Sequence, residues 1–136
     1  WSSMSRSDEV DPAEVYEHPL SFENLMYTFH FYAASHDDSY RSVLEDAAGR
    51  LPMFVSEFGT VEHTGDGLFD ETSATAWLDL LDRLKLSYAN WTFSDADESS
   101  AAFVPGTCNS GMYSFPQQLT PSGAFMKARI STPDAF

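Results

Sequence analysis

Basic residues are scarce in this chain. Of 136 residues only seven are Lys or Arg, against 21 Asp or Glu, which leaves a net charge of −14; Lys85 and Lys127 are the only lysines. A surface of that sign repels phosphate backbones and anionic lipid, so nucleic acid and membranes are excluded as expected partners, while neutral polymers and small neutral ligands remain. Cysteine is scarcer still. Cys108 stands alone, so no internal disulfide can form, and no Cys/His spacing suggests a zinc site. No metal and no cofactor is expected. Long apolar runs are missing too: nothing approaches the roughly 18 residues of a membrane-spanning helix. The opening Trp1-Ser2-Ser3-Met4 lacks the basic-then-apolar layout of a signal peptide, and a chain that starts without a methionine reads as a cleaved, trimmed or partial product.

What is present is apolar and aromatic. With 43% hydrophobic and 15% aromatic residues, the chain can build the core of one ordinary globular domain. Residues 1–23 are polar and acidic with Pro12 and Pro19, a long loop with a short helical turn around Pro12 to Tyr16. Leu25 to Tyr32 is aromatic and continuous enough to be a strand buried on both faces. Asp38 to Ala48 carries Tyr40, Val43, Leu44, Ala47 and Ala48 at helical spacing, with Gly49 placed to cap the end. Met53 to Phe58 is a second strand. A helix from Asp70 to Leu84 follows, with the stripe Ala74, Trp77, Leu78, Leu81 and Leu84 and Asp70 as N-cap. Ser87 to Phe93 is a third strand, Ser94 to Thr120 a long loop, and Thr120-Pro121 opens a last helix through Arg129. Strand and helix alternate at intervals of about thirty residues, the signature of parallel βαβ units with right-handed crossovers. The fold class is therefore α/β.

Functional side chains of parallel sheets gather at the C-terminal strand ends. Here those ends carry His30 and Tyr32, then Glu57, then Asn90 and Trp91. The run Phe54-Val55-Ser56-Glu57-Phe58-Gly59-Thr60 is apolar except for its one carboxylate, which must either pair, face a pocket or be solvated at the strand end. His30 and Tyr32 lie two apart and so leave the strand on one face. Each has a plain reading as well, His30 as a core histidine, Tyr32 as rim packing and Trp91 as a core aromatic. Together they make a carboxylate, an imidazole, a phenol and an indole, a set able to orient an acid and to stack on a sugar ring.

Three segments carry a family resemblance: Asn24 through His36 (NLMYTFHFYAASH), Pro52 through Thr60 (PMFVSEFGT) and Asn90 through Ala101 (NWTFSDADESSA). In order and spacing they closely resemble the C-terminal part of glycoside hydrolase family 5 endoglucanases, bacterial cellulases of the eight-stranded barrel type. The resemblance implies a partial (β/α)8 TIM barrel. Residues 1–136 would be the C-terminal part of the catalytic domain, with 1–23 a loop, 24–130 the βα units of the sixth to eighth strands, and 131–136 a tail. Glu57 then matches the family's catalytic nucleophile, Tyr32 the tyrosine that orients it and His30 an active-site histidine. Trp91 matches an indole platform followed by a cis peptide bond, and Trp1 a tryptophan on the leaving-group side. Asp95 and Glu98 fall in the loop that helps to bind sugar. Phe58 stands where the family usually has Trp, and Ala96 where it usually has a sugar-binding Lys.

The resemblance implies a secreted endo-β-1,4-glucanase acting on β-1,4-glucan with retention. That chemistry needs two carboxyl groups roughly 5–5.5 Å apart, and the family's second one sits in an Asn-Glu pair. No Asn-Glu dipeptide occurs in this sequence. Glu62, Asp95, Asp97 and Glu98 are loop charges, none nominated by spacing as the acid. The isolated chain is therefore expected to be inactive, its open sheet edges covered by the missing N-terminal barrel portion or by another copy of the chain. A noncatalytic carbohydrate-binding or assembly fragment is the alternative. An unrelated small α/β protein would require all three motifs to coincide in order.

Overall fold

The computed structural model describes Val15, residues 17–110 and residues 118–133. The turn expected near Pro12 falls largely outside them. Strands β1 (Tyr27–Tyr32), β2 (Met53–Gly59) and β3 (Tyr88–Asn90) form one parallel sheet in the order β1-β2-β3. Helix α1 (Asp38–Ala48) links the first pair and α2 (Glu71–Leu84) the second; α3 (Thr107–Ser110) and α4 (Pro121–Ile130) follow.

The helix ends are set by short polar side chains. Asp37 accepts the Ser39 amide at the start of α1, Asp70 accepts that of Ser73 at the start of α2, and Thr120 accepts that of Gly123 at the start of α4. Gly49 closes α1 as expected in place but not in conformation: its φ of −72° is right-handed, and the left-handed cap is instead Lys85 at the end of α2, φ 56°.

The core lies between the sheet and α1 and α2. Phe29, Phe31, Val55 and Phe58 are fully buried against Trp77, Leu78, Leu81, Leu44 and Ala47. The Phe31 ring stacks on Trp77 at 3.9 Å and on Phe58 at 5.1 Å. Each such side chain contributes roughly 1.5–3 kcal/mol through burial, so this aromatic stack is the main anchor of the two crossovers.

Two expectations need correction. β1 is not buried evenly on both faces: Phe29 and Phe31 are sealed, while His30 and Tyr32 are only half-buried at its C-terminal end. β3 stops at Asn90 instead of reaching Phe93, because the backbone changes partners there. The Trp91 amide makes the last bond to β2, at Phe58 O, whereas Thr92 donates to Ser100 O and Ala102 donates to Thr92 O. The following loop is accordingly tied down, with an antiparallel bridge between Phe103 and Leu119.

The register of β1 on β2 slips once. Phe29 pairs with Val55 but His30 pairs with Glu57, so Ser56 has no partner across the ladder. In a strictly alternating strand Val55 and Glu57 would share a face. The extra residue instead lets both Val55 and Phe58 point into the core and turns Glu57 toward His30 and Tyr32.

Candidate active site

The bulge brings the strand ends together. The Tyr32 phenol donates to Glu57 Oε1 at 2.8 Å, and His30 Nδ1 lies 3.8 Å from Glu57 Oε2. The side chains of His30 and Glu57 are 29% and 30% exposed, enough for a ligand to reach them. Burial, then the hydrogen bond to Glu57 and the charges of Glu57 and Glu98, hold the Tyr32 phenol protonated well above its usual range. It therefore remains a donor, and a carboxylate with one oxygen fixed by a neutral phenol presents the other in a defined direction.

Two residues that the sequence reading missed complete this arrangement. Ser56, the bulged residue, shares a 2.8 Å hydrogen bond with His30 Nε2. Gly59 sits opposite Tyr32, and a Cβ there would lie 2.5 Å from the Tyr32 ring, so glycine is the residue that lets the phenol lie flat across β2 toward Glu57. Neither role could be read beforehand, since both depend on the register slip.

Trp91, on the third strand end, is 44% exposed, and its peptide bond to Thr92 is cis. Asn90 Nδ2 donates to Phe58 O and ties that end to β2. Glu98 lies against the loop after β2, its Oε2 3.0 Å from where a Gly65 Cβ would stand, and its charge acts on Tyr32. Asp95 is engaged elsewhere. Its Oδ2 accepts the Cys108 amide at 2.8 Å, and hydrogen bonding from Cys108 holds its carboxyl below the ordinary range. Trp1 lies outside the described residues. Among the described residues no group of three or more His, Cys, Asp or Glu side chains is arranged to hold a metal ion, and no helix is long and apolar enough to cross a membrane.

Residues 1–97 match the family profile described as Cellulase (glycosyl hydrolase family 5). The chain belongs to glycoside hydrolase family 5. Endoglucanase CelA of Streptomyces lividans is 59% identical over 136 residues, which is all of this chain and 29% of that protein. Endoglucanase E-5 of Thermobifida fusca is 41% identical over 132 residues, 97% of this chain and 28% of that one. The crystal structure of the catalytic domain of Thermobifida fusca endoglucanase Cel5A (E5), a Glu-to-Gln variant in complex with cellotetraose, superposes with a TM-score of 0.87 at 40% identity, over 89% of this chain and 40% of that one. The family 5 chain thus has the fold of part of a barrel-type catalytic domain and spans less than a third of the length of these two relatives.

Proposed function

We propose that this chain is the portion carrying the sixth to eighth strands of the catalytic barrel of a secreted, retaining endo-β-1,4-glucanase, with Glu57 as nucleophile. The observation that carries the reading is the 2.8 Å bond from Tyr32 to Glu57 Oε1, on a carboxylate that the bulge turns out of the core. In this reading Glu57 attacks the anomeric carbon as the glycosidic C–O bond breaks, forming a covalent glycosyl-enzyme. A second carboxyl protonates the leaving oxygen and then takes a proton from the water that hydrolyses the ester. Tyr32 aims Glu57, His30 lies at the cleaved sugar, and the indole face of Trp91 supports the ring before it, with Glu98 and Asp95 on the adjoining loop. The second carboxyl comes from the rest of the barrel. An apolar groove of about 350 Å³ along β3, lined by Tyr88, Phe93, Phe103 and Met126, supports the addition of further strands at that edge. Cellotetraose in the Thermobifida structure supports β-1,4-glucan as substrate, and a polymeric glucan, too large to be taken up whole, is met outside the cell.

The isolated 136-residue chain is expected not to hydrolyse carboxymethylcellulose, whereas the complete catalytic domain does. Reducing-sugar release from both preparations checks this. Hydrolysis by the isolated chain that disappears with Glu57→Gln would place the second carboxyl within it and overturn the divided site; glucan binding without turnover by the complete domain would favour a noncatalytic carbohydrate-binding role.

Gly59→Ala tests the aiming of the nucleophile. The new methyl would meet the Tyr32 ring at 2.5 Å, and the ring must leave Glu57 to make room. A displacement near 1 Å at a reacting group costs on the order of 10²-fold in rate. In the complete domain kcat on a chromogenic cellobioside should fall by about that factor with KM little changed. An unaltered kcat would mean that Tyr32 does not position Glu57.

A further inference from the structure

His36 does not touch Glu57, and the mechanism does not use it, yet its ring is joined to the residue that aims the nucleophile. The Tyr32 backbone N–H donates to His36 Nδ1 at 2.7 Å, while the Tyr32 carbonyl accepts the Ser35 and His36 amides, both at 2.9 Å. Both backbone polar groups of the last residue of β1 are therefore held by one turn. The imidazole is fixed in turn. It stacks on Tyr40 at 4.2 Å and 20°, and the His36 carbonyl accepts the Trp77 indole N–H at 3.0 Å. An amide proton aimed at Nδ1 needs the lone pair there, so a protonated ring would set one N–H against another.

We propose that His36 is a positioning residue: unprotonated, it clamps the end of β1 so that the Tyr32 phenol points at Glu57, and a proton on Nδ1 releases the clamp. This rests on the reading of Glu57 as nucleophile and Tyr32 as its orienter.

The groups around the ring favour the neutral form. Burial comes first, and the charge of His63, held on the loop after β2 by Ser35, adds to it. The backbone hydrogen bond with Tyr32 and then the charge of Asp37, at the start of α1 and itself bound to Ser39, act in the opposite direction without overcoming them. Tyr40 from α1 lies against the ring, Arg41 is paired with Asp38 and lies over Trp77, and α2 meets His36 through the Trp77 indole. The net result is a pKa below the ordinary 6.5. The sign follows: the unfolded chain binds the proton first, so the stabilisation is complete above about pH 6.5 and is lost as pH falls through the lower, folded value.

Three variants of the complete catalytic domain test the clamp. Asn can accept the Tyr32 amide near the place of Nδ1 but cannot take a proton there; Gln and Ala cannot accept at that place. H36A and H36Q should lower kcat about tenfold with KM within about twofold, the pattern of an interaction made in the transition state. H36N should restore most of that loss and remove the His36 step from the acidic limb of the kcat profile. In ¹⁵N-labelled wild-type domain, the Tyr32 amide should titrate together with the His36 ring. The proposal is overturned if H36N is as impaired as H36A, if H36A keeps the wild-type kcat, or if the Tyr32 amide is indifferent to His36 protonation. The amide titration does not depend on Glu57 chemistry, and the stereochemistry of azide rescue at Glu57→Ala reads the nucleophile alone, so failure of either reading is seen separately.

Discussion

Glu57→Gln in the complete catalytic domain should lower kcat on β-1,4-glucan by about 10³-fold or more while leaving KM within a few-fold. The amide keeps the shape of the carboxylate and can still accept the Tyr32 phenol, which now bonds Oε1 at 2.8 Å, so substrate binding has little reason to change. What is lost is the nucleophile, and a factor of 10³ corresponds to about 4 kcal/mol of barrier. The sharper form of the experiment uses Glu57→Ala with an activated cellobioside and added azide. A small anion entering the vacated space attacks the face that Glu57 would have used, so the expected product is the α-glycosyl azide. A β-glycosyl azide would identify Glu57 as the proton donor instead, and wild-type turnover in Glu57→Gln would remove it from the chemistry altogether.

The second large effect concerns folding. Gly123→Ala should destabilise the complete domain by about 3 kcal/mol or more, the upper end of the usual cost of overpacking, and lower its Tm by roughly 5 °C. A Cβ at Gly123 would lie 2.0 Å from Ala102 O and 2.7 Å from its carbonyl carbon, and backbone has nowhere to go. The first turn of α4 is seated there by further bonds. Thr60 Oγ1 donates to Ser122 Oγ at 2.8 Å, Ser122 Oγ donates to Ser99 O at 2.8 Å, and Thr120 N donates to Ala102 O at 3.1 Å. Pushing α4 away would leave the buried Thr60 and Ser122 hydroxyls without partners. Gly49→Ala is the control, because Gly49 is right-handed and its nearest backbone neighbour is 3.4 Å from the added carbon; it should be within about 0.5 kcal/mol of wild type. Denaturant unfolding of the two variants side by side decides the matter, and equal stabilities would sink the close-packing argument.

Much of this was legible in the chain. The segment Asp38 to Ala48 predicts α1 to the residue, Asp70 caps the helix it is expected to cap, and Pro121 opens α4 at its first position. Those features are local: a 3.6-residue period and a side-chain oxygen two or three residues from a free amide leave their mark in any short window. The end of β3 was misread because Trp91, Thr92 and Phe93 have strand-like side chains, and only the loop at Ser100 and Ala102, which takes over the hydrogen bonds of Thr92, ends the ladder.

The sequence by itself determined the parallel α/β order and the family, and it brought His30, Tyr32, Glu57 and Trp91 to neighbouring strand ends. It could not say which way Glu57 points. Alternation from Val55 would send that carboxylate into the core, and it is the unpaired Ser56 that turns it to Tyr32 while leaving Phe58 to stack on Phe31. Nor could it show that Gly59 makes room for the Tyr32 ring or that His36 holds the Tyr32 amide. A bulge is chosen by the fit of two strands and the packing beneath them, residues far apart in the chain, and so it exists only once the sheet has formed.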